Sequence, residues 1–294
     1  MPISARKWVV VAAFAVLAGC SSSREGEPPR LTQSCRLQVG VERATIGSRG
    51  TLYCTTSSRG MTSDGQNVLQ IIEPSGSLGD KVKLEPTSAE IKAIAADGRG
   101  KLYLAVKEGG KDQVWVLPED ARGDKVTPQA KLTPDLPGSL NGLAVDREGD
   151  VLYVLCGDNW VVKMKTDGSV AQRIELPGDN RPEEGAVDAA GNLYVRRSSG
   201  PVVKIKPDGT MDKEWAKSAA AAHESVQALA VDSRGVVYIS ASDGDIRLRG
   251  YDANGALLFN IVEEALERTP ERLLLGRDDR LYALLGQKML VFRP

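Results

Sequence analysis

Histidine is nearly absent: His223 is the only one in 294 residues. Schemes that depend on a histidine pair, or metal centres built from several histidines, are therefore hard to assemble here. Cysteine is almost as scarce. Cys20, Cys35, Cys54 and Cys156 form neither a Cys-x-x-Cys pair nor a Cys/His cluster, so the usual zinc patterns are missing. Charge of one sign is lacking as well, with 38 Lys and Arg against 39 Asp and Glu. That balance leaves no footprint for nucleic acid or an acidic membrane surface. No Gly-x-Ser-x-Gly elbow or Gly-rich phosphate loop with its Lys occurs, so nucleophilic hydrolase and nucleotide-binding readings lack support. Nor is there an apolar run of the roughly 20 residues that a spanning helix needs.

What is present begins at the N-terminus. Arg6 and Lys7 precede an apolar stretch over residues 8–18, which is too short to span a bilayer and fits a signal-peptide core. It closes on Leu17-Ala18-Gly19-Cys20, which resembles the bacterial lipobox. The resemblance implies cleavage before Cys20 and a lipid on its sulfur, hence a membrane anchor. Residues 21–30, rich in Ser, Glu and Pro, read as a disordered tether. The expected organisation is a signal peptide over 1–19, a lipidated Cys and tether over 20–30, and one folded domain over 31–294. Three cysteines remain in an oxidising compartment, which predicts one disulfide and one buried thiol. Cys35 and Cys54, the nearest pair in sequence, are the preferred partners.

Six of the seven tyrosines recur at one place in a repeated unit: Tyr53, Tyr103, Tyr153, Tyr194, Tyr238 and Tyr282. Each follows an apolar stretch, a four-residue turn and a Leu or Val. Asp97/Gly100, Asp146/Gly149, Asp188/Gly191 and Asp232/Gly235 supply the Asp and Gly that a type I turn favours. A third alternating strand, a second turn and a fourth strand complete each unit. Four short strands every 40–50 residues are the pattern of a propeller blade. The predicted fold is an all-β, six-bladed β-propeller with four-stranded blades. Its last unit stops after three strands at Pro294, so the spare strand over residues 35–39 is expected to pair with residues 289–292 and close the ring.

Five residues before each turn stand Glu42, Lys92, Asn141, Glu183, Gln227 and Glu271. Sixfold symmetry places these polar residues around one mouth of the central channel; the turn aspartates lie at its other end and are explained by the turn itself. His223 follows the small-residue stretch 218–222 and is expected as a solvated loop residue on the ring face. Longer loops on that face, over residues 55–66, 107–112 and 196–200, are candidate binding surfaces.

The repeats resemble the NHL-repeat propellers and the senescence-marker/gluconolactonase family over residues 36–294. In that family a Glu, an Asn and an Asp from separate blades hold a divalent cation such as calcium. The resemblance implies Glu42, Asn141 and Glu183 as the ligands, with Lys92 standing where the family has an Asn. Three functional readings follow. The first is a non-catalytic, lipid-anchored module of the cell envelope that binds a protein, glycan or small ligand. The second is a divalent-metal-dependent lactonase or hydrolase, and the third a structural factor in envelope assembly. In a host with two membranes, Ser21 after the anchor implies the outer membrane, facing the periplasm.

Overall fold

The computed structural model describes residues 27–47, 49–56, 68–86, 88–118, 121–242 and 244–294. Cys20 and residues 57–67 lie outside them, so neither the lipidation site nor most of the longest loop is described. The described chain starts with β1 (Arg30–Arg36), which belongs to the last blade. Blade one is β2 (Val41–Ile46), β3 (Leu52–Thr56), β4 (Val68–Ile72) and β5 (Leu78–Leu84). Blade two is β6 (Glu90–Ala96), β7 (Leu102–Glu108), β8 (Lys111–Leu117) and, after β9 (Gly123–Val126), β10 (Ala130–Leu132). Strand β9 leaves its own blade to lie parallel to β5 and covers the outer edge of blade one.

Blade three is β11 (Leu140–Val145), β12 (Val151–Cys156), β13 (Trp160–Lys165) and β14 (Val170–Glu175). Blade four has β15 (Pro182–Val187), β16 (Leu193–Arg197) and β17 (Val203–Ile205), and a single bridge from Ile205 to Met211 stands in for a fourth strand. The buried Trp215 caps that edge: its Nε1 donates to the Val202 carbonyl at 2.9 Å and its ring meets Tyr194 edge-on at 5.0 Å. Blade five is β18 (Val226–Val231), β19 (Val237–Ala241), β20 (Leu248–Tyr251) and β21 (Leu257–Asn260). Blade six is β22 (Arg272–Leu275), β23 (Leu281–Leu285) and β24 (Lys288–Arg293), with β1 as its fourth strand.

The core is a ring of interfaces. Six apolar clusters lie between neighbouring blades, one at each junction. A central strand therefore buries both faces, which is why Leu102-Tyr103-Leu104-Ala105-Val106 is apolar throughout rather than alternating. The tyrosines sit in these junctions, and a buried hydroxyl needs a partner. In blades two, four and five the turn aspartate six residues earlier provides it, while Tyr153 of blade three donates to the Gly191 carbonyl at 3.4 Å. Tyr194 and Tyr238 donate to Asp188 and Asp232 at 3.2 Å, and Tyr103 donates to Asp97 at 3.4 Å. The other carboxylate oxygen closes the turn, accepting from Arg99 and Lys101 in blade two and from Arg234 and Val236 in blade five. Burial, with the adjacent carboxylates, pushes the Tyr153 hydroxyl up to about 12. In those three blades one Asp thus fixes both the turn and the packed aromatic ring.

Two expectations are corrected. The closing strand is Arg30–Arg36 rather than residues 35–39: Arg30 pairs with Arg293, Cys35 with Met289 and Arg36 with Lys288. Residues 38–40 form the turn into blade one. Cys35 and Cys54 are not bonded to each other; both are free thiols, as is Cys156. Cys54 lies on the buried second strand of blade one, where its thiol donates to the Gln70 carbonyl at 3.5 Å, while Cys35 lies on the outermost strand of blade six against Gly76. Burial pushes the Cys54 and Cys156 thiols up to about 12, so neither is a ready nucleophile.

Candidate functional site

The channel has two different ends. At the turn end, the gap is about 140 Å³ and is bridged by side chains from opposite blades. Arg147 of blade three reaches Asp279 of blade six at 3.4 Å and donates to the Arg277 carbonyl. The backbone N–H of Ser233, in blade five, donates to the same Asp279 at 3.0 Å, and its hydroxyl donates to the other carboxylate oxygen. Asp279 takes φ of 57°, a conformation uncommon outside glycine, and the three-blade bridge accounts for its being held there.

At the other end a cavity of about 450 Å³ opens between the starts of the inner strands. Five of these six strands carry a bulge there. The ladder skips one residue in β2, β6, β11, β15 and β18, and the skipped residues are Glu42, Lys92, Asn141, Glu183 and Gln227. In blade six, Glu271 donates its N–H to the Leu284 carbonyl, and Leu284 also faces Arg272. The polar ring counted from the sequence is therefore a ring of bulges, which re-aim side chains where strands end at a site.

The bulge does not point every ring residue inward. Lys92, Asn141 and Glu183 line the cavity together, joined by Glu184, Arg196, Arg181, Asp112 and Lys107. In blades one and six the lining residue is the following one, Arg43 and Arg272, not Glu42 or Glu271. Glu42 pairs with Arg43 at 3.5 Å, and Glu271 with Arg268 at 2.5 Å, both at the exposed rim. Gln227 is exposed and outside the lining.

Arg196, from the second strand of blade four, organises the inner wall. Its Nη1 donates to Glu183 at 2.9 Å and its Nε to Glu184 at 3.0 Å, while Arg181 holds the other oxygen of Glu183 at 2.8 Å. Burial pushes Glu183 up, but the two arginines outweigh it and hold the carboxyl below its ordinary value. For Glu184 burial wins. Its pKa is raised despite Arg196, Arg272 and the N–H of Leu229.

These contacts bear on the expected cation. Glu183 already has two guanidinium partners, Glu42 is turned to the rim, and Asn141 donates to the Gly157 carbonyl at 2.7 Å. No three His, Cys, Asp or Glu side chains among the described residues come together as a cation cage. Glu42, Asn141 and Glu183 thus do not fit a calcium-like ion, which needs several converging oxygens. Glu184, the residue after the ring position of blade four, is the lining carboxyl that burial raises.

His223 also departs from expectation. It is buried, directly after a short 3₁₀ turn (Ala220–Ala222), with its Nε2 2.5 Å from the Tyr251 hydroxyl. Ala220 packs in the junction between blades four and five, while Ala219 and Ala222 are exposed, so the stretch is anchored through Ala220 and His223.

A family model, "Strictosidine synthase-like, N-terminal", matches residues 169–205, which run from the last strand of blade three through blade four. No curated protein sequence matches the chain. Among solved structures it is similar to virginiamycin B lyase from Staphylococcus aureus, at 12% identity and a TM-score of 0.53, covering 89% of this chain and 98% of that one. A streptogramin B lyase gives 14% identity and a TM-score of 0.51 over 86% of this chain and 78% of the other. A chain of the mitotic checkpoint complex gives 11% identity and a TM-score of 0.60, over 100% and 99% of the two chains. At such identities the likeness carries the fold and not the chemistry. Blade count and strand order make the chain a six-bladed β-propeller.

Proposed function

We propose that the chain is a lipid-anchored propeller of the cell envelope that works as a binding module, with the channel mouth as its binding face. The observation that supports this best is the direction of β1. Arg30 pairs with Arg293 at the turn end of blade six, and Arg36 pairs with Lys288 at the mouth end. A tether running back from Arg30 to Cys20 would leave the propeller on the face opposite the mouth. The open cavity would then face away from the bilayer, toward a protein, glycan or small ligand in the compartment.

Cys20→Ser tests the anchor. The variant is expected to remain unprocessed or to shift from the membrane fraction to the soluble one. A variant that is processed and pellets like the wild type removes the anchor from this reading. An assembly factor would use the same anchor, and crosslinking from Lys107 at the mouth separates the two: a small-ligand module yields no protein adduct there.

The lactonase alternative needs a cation at residues that do not fit one. Calcium, magnesium, manganese and zinc are each expected to leave the melting temperature unchanged, because only an ion that prefers the folded state raises it. A rise abolished by Glu183→Gln would restore that alternative.

A further inference from the structure

The mouth is electrically lopsided. Over the whole sequence acidic and basic residues balance to a net charge of −1. The cavity lining, however, carries six basic side chains, Arg43, Lys92, Lys107, Arg181, Arg196 and Arg272, against the acidic Asp112, Glu183 and Glu184. Asp112 lies in blade two, opposite Lys107 on the β7–β8 ladder, where one of its oxygens accepts from the N–H of Leu140. Both glutamates belong to blade four and are held there by Arg196 and Arg181. Arg272, Arg43, Lys92 and Lys107 form an arc over three consecutive blades, six, one and two.

Within that arc the charges are unevenly matched. Lys92 pairs with Glu90 at 2.5 Å, and Arg43 has the longer rim contact with Glu42. Arg272 has no carboxylate at ion-pair distance among the described residues. Its Nε and Nη2 donate to the Glu42 carbonyl at 3.1 and 2.8 Å, and its Nη1 donates to the Glu271 carbonyl at 2.8 Å. These backbone acceptors fix the guanidinium without neutralising it. A guanidinium has five N–H donors, so further donors remain for an incoming group. A planar fork held in place loses little freedom on binding a planar or tetrahedral oxyanion. Concave walls of low dielectric concentrate the field of such an arc. The volume of about 450 Å³ lies within the range of small-molecule pockets.

We propose that the channel mouth binds a small oxyanion, an organic carboxylate or a phosphate ester, on the arc formed by Arg272, Arg43, Lys92 and Lys107. Arg272 is the anchoring contact, and the glutamates of blade four face whatever neutral or basic part the ligand carries. This rests on the binding-module reading and names its ligand class.

Titration calorimetry on the full chain in detergent, with citrate and with inorganic phosphate as probes, tests it. At least one probe is expected to bind, and its affinity to fall as salt rises. Arg272→Gln weakens that binding about tenfold or more, equivalent to about 1.4 kcal/mol. Arg272→Lys, which keeps the charge and loses the fork, recovers only part. Arg122→Gln, whose side chain pairs with Glu73 away from the mouth, leaves affinity unchanged. A melting curve for each variant confirms that it is folded. Stronger citrate binding selects the carboxylate form of the ligand, and stronger phosphate binding selects the ester. Absence of binding to both probes overturns the proposal, as does binding that survives Arg43→Gln with Arg272→Gln. A neutral glycan or a protein that binds at the mouth while both anions fail would overturn the anion assignment and leave the binding module standing.

Discussion

Deleting residues 27–36 from the full chain is expected to leave a protein that does not stay folded. The deletion removes all of β1, which is mostly polar and partly exposed, so the lost strand itself buries little. The damage falls on its neighbour. Met289, Leu290, Val291 and Phe292 on β24 are all buried and serve two junctions: Met289 and Val291 face blade one, Leu290 and Phe292 face blade five. Each side chain that returns to water costs about 1.5–3 kcal/mol. Two of the four suffice for roughly 3–6 kcal/mol, against a total stability of about 5–15 kcal/mol for a folded domain. The exposed edge would also be an apolar strand with open backbone groups, a template for aggregation. The expected readout is loss of the cooperative melt and a shift to large species in size exclusion. Adding a peptide of residues 27–36 should restore part of the melt, since it supplies the ladder from Arg30 to Arg36 that pairs with Arg293 to Lys288. A deletion variant that melts like the wild type would show that β1 does not close the ring.

That strand illustrates what the sequence conceals. Gln33 and Ser34 are not residues that strands prefer, and the more apolar stretch from Cys35 to Val39 competes for the assignment. Pairing decides otherwise, because β24 runs to Arg293 and an antiparallel partner must start as far back as Arg30. The blades were legible because one Asp serves both turn and tyrosine, which locks two sequence signals at a fixed distance. The mouth was half legible. Counting from the turns finds the bulge in blades one to five, since it lies at a fixed distance along each of those inner strands. It cannot tell which of the two bulge residues faces inward, so it selects Glu42 and Glu271 where Arg43 and Arg272 line the cavity. Arg196 escapes altogether, because it arrives from the second strand and meets Glu183 only across the ladder. The inversion matters for function: a ring that reads as acidic becomes an arc of bases once those two blades are placed.

Arg196→Met should produce the largest loss of any single change at the mouth. The Arg196 side chain is 12% exposed, and its guanidinium is the partner shared by Glu183 and Glu184. Breaking a buried pair by removing one member typically costs 3–5 kcal/mol, because the partner remains as an uncompensated charge. With both carboxylates partly reached by channel solvent, about 3 kcal/mol is the appropriate end. For a domain of this size that corresponds to a fall of roughly 6–12 °C in melting temperature at neutral pH. The pH dependence separates this mechanism from simple loss of packing. Glu184 has a folded pKa above its unfolded value, so the native state binds the proton more tightly and loses stability as pH rises through that interval. Glu183 is the opposite case. Its depressed pKa contributes stability above the unfolded value, and that contribution is lost as pH falls through the folded pKa. Removing Arg196 raises both carboxyls, so the variant should recover on acidification as Glu184 takes up its proton, with a smaller deficit at acidic than at neutral pH. Adding Glu184→Gln to Arg196→Met should restore much of the loss, giving a coupling energy that a double-mutant cycle measures. A deficit independent of pH, or a double variant no better than Arg196→Met alone, would mean that Arg196 holds the mouth by its methylenes and that its charge does not matter to the fold.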